Sequence, residues 1–368
     1  MQEINIAHLQ NTIVWATLAI TSIMGFVMAR SNFCTMGAVA DIVNMGDWNR
    51  MRMWILAIAV AIASAQGLHL AGLIDLSKSF YAAPSVTWAS YILGGFMFGF
   101  GMVLAGGCGS KTLIRIGGGS LKSLVVFIVL GLFAYMTLRG IFGVLRVSTV
   151  DTIKFSLPSG QDLPRLLSAA LGLDVASVRT VVTALVAGGL ALYALANKEF
   201  RSSSWNVTGS IVIGLGIAAI WYVSGNLGYV AEDPKTLEEA FVGTNSGRIE
   251  SLSFVAPMAY TLELFMFWSD TSRHVTLGIA ACGGMVLGSL VSSVADKSFQ
   301  WQGFAGAEDT SYNLVGAALM GIGGVTALGC TVGQGLSGLS TLAIGSMIAF
   351  AAIVAGAVAA LKYQMSRI

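Results

Sequence analysis

Charged residues are scarce in this chain of 368 residues, of which 10% are Asp, Glu, Lys or Arg and 55% are hydrophobic. A soluble globular protein carries about 25% charged residues, so this composition excludes a protein whose whole surface faces water. The apolar residues fall in runs of roughly 17–25, the length that a helix needs to cross a bilayer. The alternating segments typical of outer-membrane barrels are missing from the sequence. We therefore predict an all-α polytopic membrane protein.

Other features that the sequence lacks narrow the function. A net charge of +2 with scattered basic residues gives no indication of a nucleic-acid partner. No Pro/Ser-rich linker or charged tail marks a separate soluble domain. The four cysteines form no CxxC pair, which disfavours a disulfide framework and a zinc site of usual spacing; we expect neither a metal nor a cofactor. Glu3 and no basic cluster precede the first apolar run, so we expect that run to be retained as a span.

The apolar runs predict about nine or ten membrane helices, at least one of which is a glycine-broken segment that re-enters the membrane without crossing it. They lie near residues 12–30, 52–74, 90–106, 121–145, 175–196, 206–228, 252–268, 275–295, 312–328 and 340–362. We divide the chain into a first membrane repeat core (1–145), a connecting loop with a short surface helix and a linking span (146–205), and a second membrane repeat (206–368). The leucines that predict the surface helix are Leu163, Leu166, Leu167 and Leu171.

The distribution of basic residues predicts the orientation of the spans, because Lys and Arg accumulate in cytoplasmic loops. If the spans alternate, one side receives the basic residues Arg30, Arg50, Arg52, Lys198, Arg201 and Arg273. The acidic loop near 229–250 falls on the opposite side. We therefore expect the N-terminus outside and the C-terminus, with Lys362 and Arg367, inside.

Two cysteine-glycine stretches resemble copies of each other at an offset of 222 positions, the difference between Cys330 and Cys108. Seven of the fifteen positions from Gly94 to Cys108 are identical in the second copy. The matching residues are Gly94, Gly99, Gly101, Val103, Ala105, Gly107 and Cys108, which fall on Gly316, Gly321, Gly323, Val325, Ala327, Gly329 and Cys330. Glycine-interrupted apolar segments at matching places in two halves indicate a binding site near the membrane midplane.

The chemistry of such a break suits a small anion that contains sulfur. A helix that begins inside the membrane presents unpaired N–H groups and a partial positive charge. Glycines let successive N–H groups point at one spot, and a thiol adds a weak donor and a polarizable sulfur. A hard divalent cation would require carboxylates, which are not close in sequence. The residues that we expect to line the path are Cys108, Cys330, Gly107, Gly109, Gly329, Gly333 and Gln334.

Cys34 is a third thiol at a polar, glycine-containing end of an apolar run. If the spans alternate, Cys34, Cys108 and Cys330 all follow segments that head inward, and we expect them to converge on one path. Cys282 lies in the middle of a predicted span, where a free cysteine usually packs as a small apolar residue.

Charged residues near these stretches have two interpretations. Lys111 and Arg115 follow Cys108, and Arg30 precedes Cys34; they reflect either the cytoplasmic positive bias or attraction of an anion to the pore mouth. Glu263 lies within an apolar run, and an intramembrane carboxylate is a functional hypothesis by default. Glu263 is either a proton site or the partner of a base such as Arg139.

Together these residues resemble the three cysteine motifs of the YeeE/YedE family, and the resemblance extends from residue 13 to about 362. The motifs read Arg30-x-x-Phe33-Cys34-x-x-Gly37, then Gly-Gly-Cys108 with Arg115 beyond, then Gly329-Cys330-x-x-Gly333-x-Gly335-Leu336-Ser337-Gly338. Any one motif is weak, but the ordered trio is specific. Lys111 stands where the family pattern has glycine, and Gln334 stands where it has histidine.

The resemblance implies a bacterial inner-membrane protein, not an enzyme, that takes up thiosulfate or a related sulfur anion. It implies two similar halves around an hourglass-shaped centre, with Cys34, Cys108 and Cys330 lining the path. Some relatives are linked to selenium compounds, and some work beside a small TusA-like sulfur carrier. With that location, the N-terminus is periplasmic and the C-terminus cytoplasmic.

Three other readings remain open at this point. A membrane thiol enzyme that transfers sulfur through a cysteine persulfide would need an adjacent base, which the sequence does not provide. A Cu(I) transporter is disfavoured because the 16 methionines are scattered and no MxxM or CxxC cluster is present. A purely structural protein leaves the repeated cysteine-glycine breaks unexplained.

Overall fold

The computed structural model describes residues 6–233 and 237–366, so that Glu3 and Arg367 lie outside the described residues. The chain is built of helices and two pairs of short strands. The helices are α1 (Ile6–Arg30), α2 (Thr35–Met45), α3 (Asn49–Leu70), α4 (Trp88–Leu104), α5 (Gly109–Gly117), α6 (Leu121–Arg139), α7 (Ile141–Ser148), α8 (Leu163–Leu171), α9 (Val175–Leu195), α10 (Lys198–Ser202), α11 (Ser204–Tyr222), α12 (Val255–Met266), α13 (Leu277–Ala295), α14 (Ala307–Thr326) and α15 (Ile344–Met365). The antiparallel strand pairs are β1 (Ser85–Val86) with β2 (Phe155–Ser156), and β3 (Tyr229–Val230) with β4 (Ala240–Phe241).

The described part contains eight helical segments that are long and apolar enough to cross a membrane. This confirms an all-α polytopic membrane protein. Helix α12, predicted as a span over 252–268, has only 12 residues, and its length of about 18 Å falls short of a hydrocarbon core about 30 Å thick. Helix α14 is long enough, but the polar residues of its first turns, among them Glu308 and Asp309, lower its hydropathy, so it is not among the eight.

Helices α4 and α14 cross in the centre of the molecule through reciprocal glycine contacts. A Cβ added to Gly94 would lie 2.7 Å from the carbonyl oxygen of Gly323, and one added to Gly323 would lie 2.6 Å from that of Gly94. Gly101 and Gly316 oppose each other in the same way, at 2.7 and 2.6 Å. Only glycine permits this backbone approach, which replaces side-chain packing between the helices.

These contacts also correct the predicted direction of the cysteine segments. The early part of α4 faces the late part of α14, so the two helices are antiparallel. Cys108 and Cys330 are therefore approached from opposite sides of the molecule, whereas we expected Cys34, Cys108 and Cys330 all to follow segments with one direction. Simple alternation of spans failed because α12 is too short to cross.

One side of the bundle carries most of the predicted basic loops and is called the basic face. Its residues are Arg30, Arg50, Arg52, Lys198 and Arg201. The connection between α9 and α11 reaches the start of α3 there, since the amide of Asn49 donates to Glu199 at 3.1 Å. Asp41 on α2 pairs with Arg50 at 3.1 Å, which holds the short helix α2 at this face.

The opposite side, called the loop face, is formed by the loop 71–87 and by the described parts of the loop before α12, residues 228–233 and 237–254. The two loops are joined by an ion pair between Lys78 and Glu239 and by a backbone bridge between Ser79 and Ile249. The N–H of Leu277 donates to the carbonyl of Gly243 at 2.8 Å, so the connection before α13 also lies at the loop face. Arg273 belongs to that connection, and its predicted place among the basic loops was therefore wrong.

A buried polar cluster joins the connecting segment to α3 and to the helical segment that follows Cys330. Helix α8 covers the four leucines from which the short surface helix was predicted. Arg179 on α9 is 4% exposed and binds Asp162 at 2.7 Å and the amide oxygen of Gln66 at 2.8 Å. Gln66 in turn donates to the carbonyl of Ser340 at 2.8 Å. This buried ion pair is hydrogen-bonded on several sides, as buried charges require, and it braces the helical segment that follows Cys330.

Candidate functional site

The three predicted cysteines follow helix breaks of one backbone design. In each, the second residue before the cysteine has a left-handed φ: 51° at Asn32, 66° at Gly106 and 55° at Leu328. The next residue donates its N–H to a carbonyl five positions back, at 3.2, 2.8 and 2.8 Å. This pattern ends a helix and reverses the path of the chain. The fold thus places each thiol just after a helix end.

Each cysteine also begins the next helix. Cys34 precedes α2 and Cys108 precedes α5, while Cys330 precedes the helical segment 331–340. The Gly37 N–H donates to the Cys34 sulfur at 3.4 Å, and the Gly333 N–H donates to the Cys330 sulfur at 3.3 Å. Three sulfurs therefore lie at helix N-termini, where unpaired N–H groups favour negative charge.

Cys34, Cys108 and Cys330 are neighbours in the interior in this order, and their three sulfurs are called the thiol file. Cys34 lies within electrostatic range of Cys108, and Cys108 within range of Cys330. All three are buried, with exposures of 6%, 0% and 0%. Cys282 on α13 is buried beside the far end of this file, within range of Cys330. The structure thus brings together the thiols that the sequence singled out.

The end of the file at Cys34 and Cys108 faces a cluster of cations. Lys111 on α5 is half-buried and lies within electrostatic range of both thiols, Arg115 and Arg50. Neither Lys111 nor Arg115 has a carboxylate partner among the described residues. Half-buried cations without counter-ions raise the local positive potential, which suits binding of an anion.

Glycines make room for these cationic side chains. A Cβ on Gly107 would lie 3.1 Å from the Cγ of Lys111 and 3.7 Å from a guanidinium nitrogen of Arg115. A Cβ on Gly37 would collide with the guanidinium of Arg50. Gly109, the first residue of α5, packs in ordinary contact on the start of α12. The predicted path glycines of the first half therefore lie against the cations or the helix N-termini.

Arg30 and Glu263, the other predicted electrostatic residues, are held in ion pairs. Arg30 pairs with Asp296 and lies over an aromatic ring of α1. Glu263 is buried and pairs with Arg273 at 3.0 Å, while the Tyr135 hydroxyl donates to it at 3.3 Å. The partner of Glu263 is thus Arg273. Arg139 lines a cavity of about 310 Å³ together with these two residues, but it does not pair with Glu263. The structure does not bring Arg30 or Glu263 to the thiols.

A cavity of about 320 Å³ opens toward the other end of the file. Its lining includes Gly329, Leu328, Ser253 and Glu250, and the Ser253 hydroxyl lies 4.0 Å from the Cys330 sulfur. Cys330 itself is fully buried. The cavity therefore ends one layer of atoms away from the thiol.

Gln334 closes the turn at this end. Its amide donates to the carbonyl of Ala327 at 2.6 Å, and its side chain packs against Gly329. Its amide oxygen is buried and without a partner among the described residues. The structure thus places Gln334 and Gly329 within the Cys330 turn, with one acceptor atom unused.

Two residues at this end were not predicted from the sequence. Tyr81, in the loop before α4, and Ser253, in the loop before α12, both approach Gly333. No sequence pattern indicated Tyr81, which comes from a distant loop. Helix α12 packs on α6 as α2 packs on α15. Ser253 precedes α12, and the one available signal for it was an alignment of the two halves that extends beyond the cysteine repeat.

Within the described residues, no cluster of three His, Cys, Asp or Glu side chains suits a metal ion.

Residues 30–359 match the family model described as sulphur transport. The chain belongs to the sulphur transport family. This confirms the family resemblance drawn from the three cysteine motifs, as well as the expectation of a transporter and not an enzyme. The chain is similar to the thiosulfate transporter TsuA of Escherichia coli (strain K12), with 27% identity over 326 residues, 86% of this chain and 84% of the relative. It is also similar to the thiosulfate transporter TsuA of Spirochaeta thermophila, with 26% identity over 345 residues, 91% of this chain and 94% of the relative.

Proposed function

We propose that this protein is a bacterial inner-membrane transporter that takes up thiosulfate or a closely related sulfur anion. The observation that carries the proposal is the file of three buried thiols at helix N-termini, between a cavity and the cations Lys111 and Arg115, which have no carboxylate partner among the described residues. The family and the names of both relatives support the substrate class.

The chemistry of the file supports passage of a dianion in several short steps. Neutral S–H groups and backbone N–H groups donate hydrogen bonds to the terminal sulfur and the oxygens of the anion without fixing it through a full positive charge. A series of weak sites favours flux, because an ion must leave each site as readily as it enters. In this mechanism the thiols stay protonated, since a thiolate would repel the anion. We propose the order Cys330, Cys108, Cys34.

The basic face supports an orientation for this order. Positive residues mark the cytoplasmic side, so the loop face and its cavity are placed in the periplasm. The N-terminus is then periplasmic and the C-terminus cytoplasmic. The anion enters at Cys330, leaves near Lys111, and is passed there to a small TusA-like carrier protein in the cytoplasm. The 222-residue offset maps Gly94 onto Gly316 and Gly101 onto Gly323, so it converts the Gly94–Gly323 contact into the Gly101–Gly316 contact. This symmetry supports two inverted membrane repeats within 1–145 and 206–368, joined by 146–205.

Growth on thiosulfate tests this function. A bacterium that lacks sulfate uptake receives this chain or its Cys108→Ala, Cys330→Ala or Cys282→Ala variant, with thiosulfate as the sole sulfur source. We expect rescue by the parent and by Cys282→Ala, which changes a buried thiol outside the repeated motifs. We expect loss of growth with Cys108→Ala and Cys330→Ala at equal membrane expression.

The other outcomes are equally informative. Full growth with Cys330→Ala would refute the thiol file. A well-expressed parent that fails to rescue would refute thiosulfate uptake and favour a selenium compound or another sulfur anion. A stable persulfide on Cys34 or Cys108, detected by mass spectrometry, would favour the thiol enzyme.

A further inference from the structure

The side chain of Tyr81 ends in a buried hydroxyl that has no hydrogen-bond partner among the described residues. The residue is 3% exposed. Buried polar groups are nearly always hydrogen-bonded, and each exception requires an explanation such as an absent ligand. A phenol left unpaired in an apolar interior costs free energy that a bound partner would recover.

The ring of Tyr81 is held firmly, so the position of its hydroxyl is set by the fold. The ring packs on Phe80 with centroids 4.0 Å apart and meets Trp221 edge-on at 6.2 Å. Trp221 is itself anchored, since its indole N–H donates to the Ser340 hydroxyl at 2.9 Å. A side chain fixed in this way is preorganised for binding.

The hydroxyls of Tyr81 and Ser253 converge on Gly333. A Cβ on Gly333 would lie 3.5 Å from the Tyr81 oxygen and 2.8 Å from the Ser253 oxygen. The N–H of Gly333 already points at the Cys330 sulfur. Glycine therefore lets two hydroxyls and a thiol border one space, which at its present width is too narrow for an added methyl group.

This space lies between the cavity at the loop face and Cys330. Ser253 lines the cavity on one side and approaches the Cys330 sulfur on the other. Phe80, the neighbour of Tyr81, lines the same cavity. An anion that moves from the cavity to the thiol passes these two hydroxyls first.

We propose that Tyr81 and Ser253 form a binding station for the oxygen atoms of a small sulfur oxyanion, immediately before Cys330. The inference rests on the proposed uptake of such an anion and adds the residues that select it. The two O–H groups donate to the oxygens of the anion, while the Cys330 S–H faces its sulfur. Sulfide has no oxygen atom to accept from these donors.

The chemical state of Tyr81 suits this role. Burial raises the pKa of its phenol well above the usual value, so the hydroxyl keeps its proton and donates. Neutral donors bind an anion less tightly than a lysine would, which allows release to the next thiol.

The test uses full-length protein purified in lipid nanodiscs, with Tyr81→Phe, Ser253→Ala and the control Tyr91→Phe. Tyr91 is equally buried at 3% exposure, but its hydroxyl has Gln161 and Thr87 as neighbours. Thiosulfate affinity is measured by calorimetry, with sulfide as a competitor. Loss of one hydrogen bond to a charged ligand weakens binding by about tenfold or more, so we expect that decrease for Tyr81→Phe but not for Tyr91→Phe.

Thermal unfolding without ligand separates recognition from structural support. Because the Tyr81 hydroxyl has no partner in the part of the chain that the structure describes, Tyr81→Phe should leave the melting temperature unchanged or raise it, while reducing the shift that thiosulfate causes. Thiosulfate affinity equal to that of the parent, or a lower melting temperature without ligand, would overturn the proposal. If the parent itself binds no thiosulfate, the proposed function fails; if Cys330→Ala abolishes binding but Tyr81→Phe does not alter it, only the station fails.

Discussion

The Cys108 and Cys330 breaks have the same backbone but different electrostatic surroundings. Both follow a helix that ends in the same left-handed turn, and both thiols are fully buried. At the offset of 222, Lys111 corresponds to Gly333, and Arg115 corresponds to Ser337. One break is thus flanked by unpaired cations, and the other by glycine and hydroxyl groups.

This difference separates what the helix break provides from what the side chains add. The break supplies N–H groups and a thiol at both places. The side chains then make the Cys330 end neutral and the Cys108 end positive, which creates a potential that falls for an anion along the file. In a low-dielectric interior a full charge acts more strongly than a dipolar donor. The asymmetry therefore supports movement from the neutral end toward the positive end.

The largest expected effect comes from removing the positive end. Lys111→Gln combined with Arg115→Gln deletes two charges without leaving a carboxylate unpaired. We expect the initial rate of radiolabelled thiosulfate uptake to fall at least about tenfold, since a partly buried unit charge contributes on the order of several kcal/mol at close range. Protein expression and thermal unfolding should change little.

The matched control is Lys198→Gln with Arg201→Gln, which removes two exposed charges from the same face. Its uptake should stay close to that of the parent. An equal decrease in both double variants would show that the total charge of the face matters. It would contradict a specific role for the two cations beside Cys108.

A smaller loss should follow from filling the neutral end. Gly333→Ala places a methyl group 2.8 Å from the Ser253 hydroxyl, so that hydroxyl must move away from Cys330. We expect uptake to fall by about three- to tenfold through weakening of one hydrogen bond to the anion. Gly188→Ala is the control, because no heavy atom lies within 4 Å of its added methyl group. Normal uptake by a folded Gly333→Ala protein would contradict the role of this space.

The smallest effect concerns Glu250, a carboxylate in the cavity before the neutral end. Burial raises the pKa of this carboxyl above its usual value of 4.5, although the Ser246 N–H donates to it and opposes the shift. A raised pKa means that falling pH removes the negative charge earlier than for an exposed glutamate. Uptake by the parent should therefore rise as the pH falls from neutral, by about two- to threefold for one screened charge.

The variant Glu250→Gln sharpens this point, because it keeps the shape of the side chain and removes the charge. Its uptake at neutral pH should match that of the parent at low pH, and its pH profile should be flatter. A parallel pH profile in the variant would assign the pH dependence to another group.

Much of the fold followed from the sequence through local rules. Long apolar runs predicted the membrane class because a bilayer requires about 20 apolar residues per helix. The repeated approaches to Cys108 and Cys330 predicted two similar breaks, and the three cysteine motifs predicted the family. Those inferences needed only the spacing of residues along the chain.

The sequence alone determined the class, the breaks and the identity of the thiols, whereas tertiary structure decided their surroundings. The antiparallel crossing of α4 and α14, the pairing of Glu263 with Arg273 and the approach of Tyr81 to Gly333 all join residues far apart in the chain. Such contacts depend on which helices pack together and on how short helices such as α12 return without crossing. Local periodicity carries no information about those choices, because the same apolar face can pack against any partner helix.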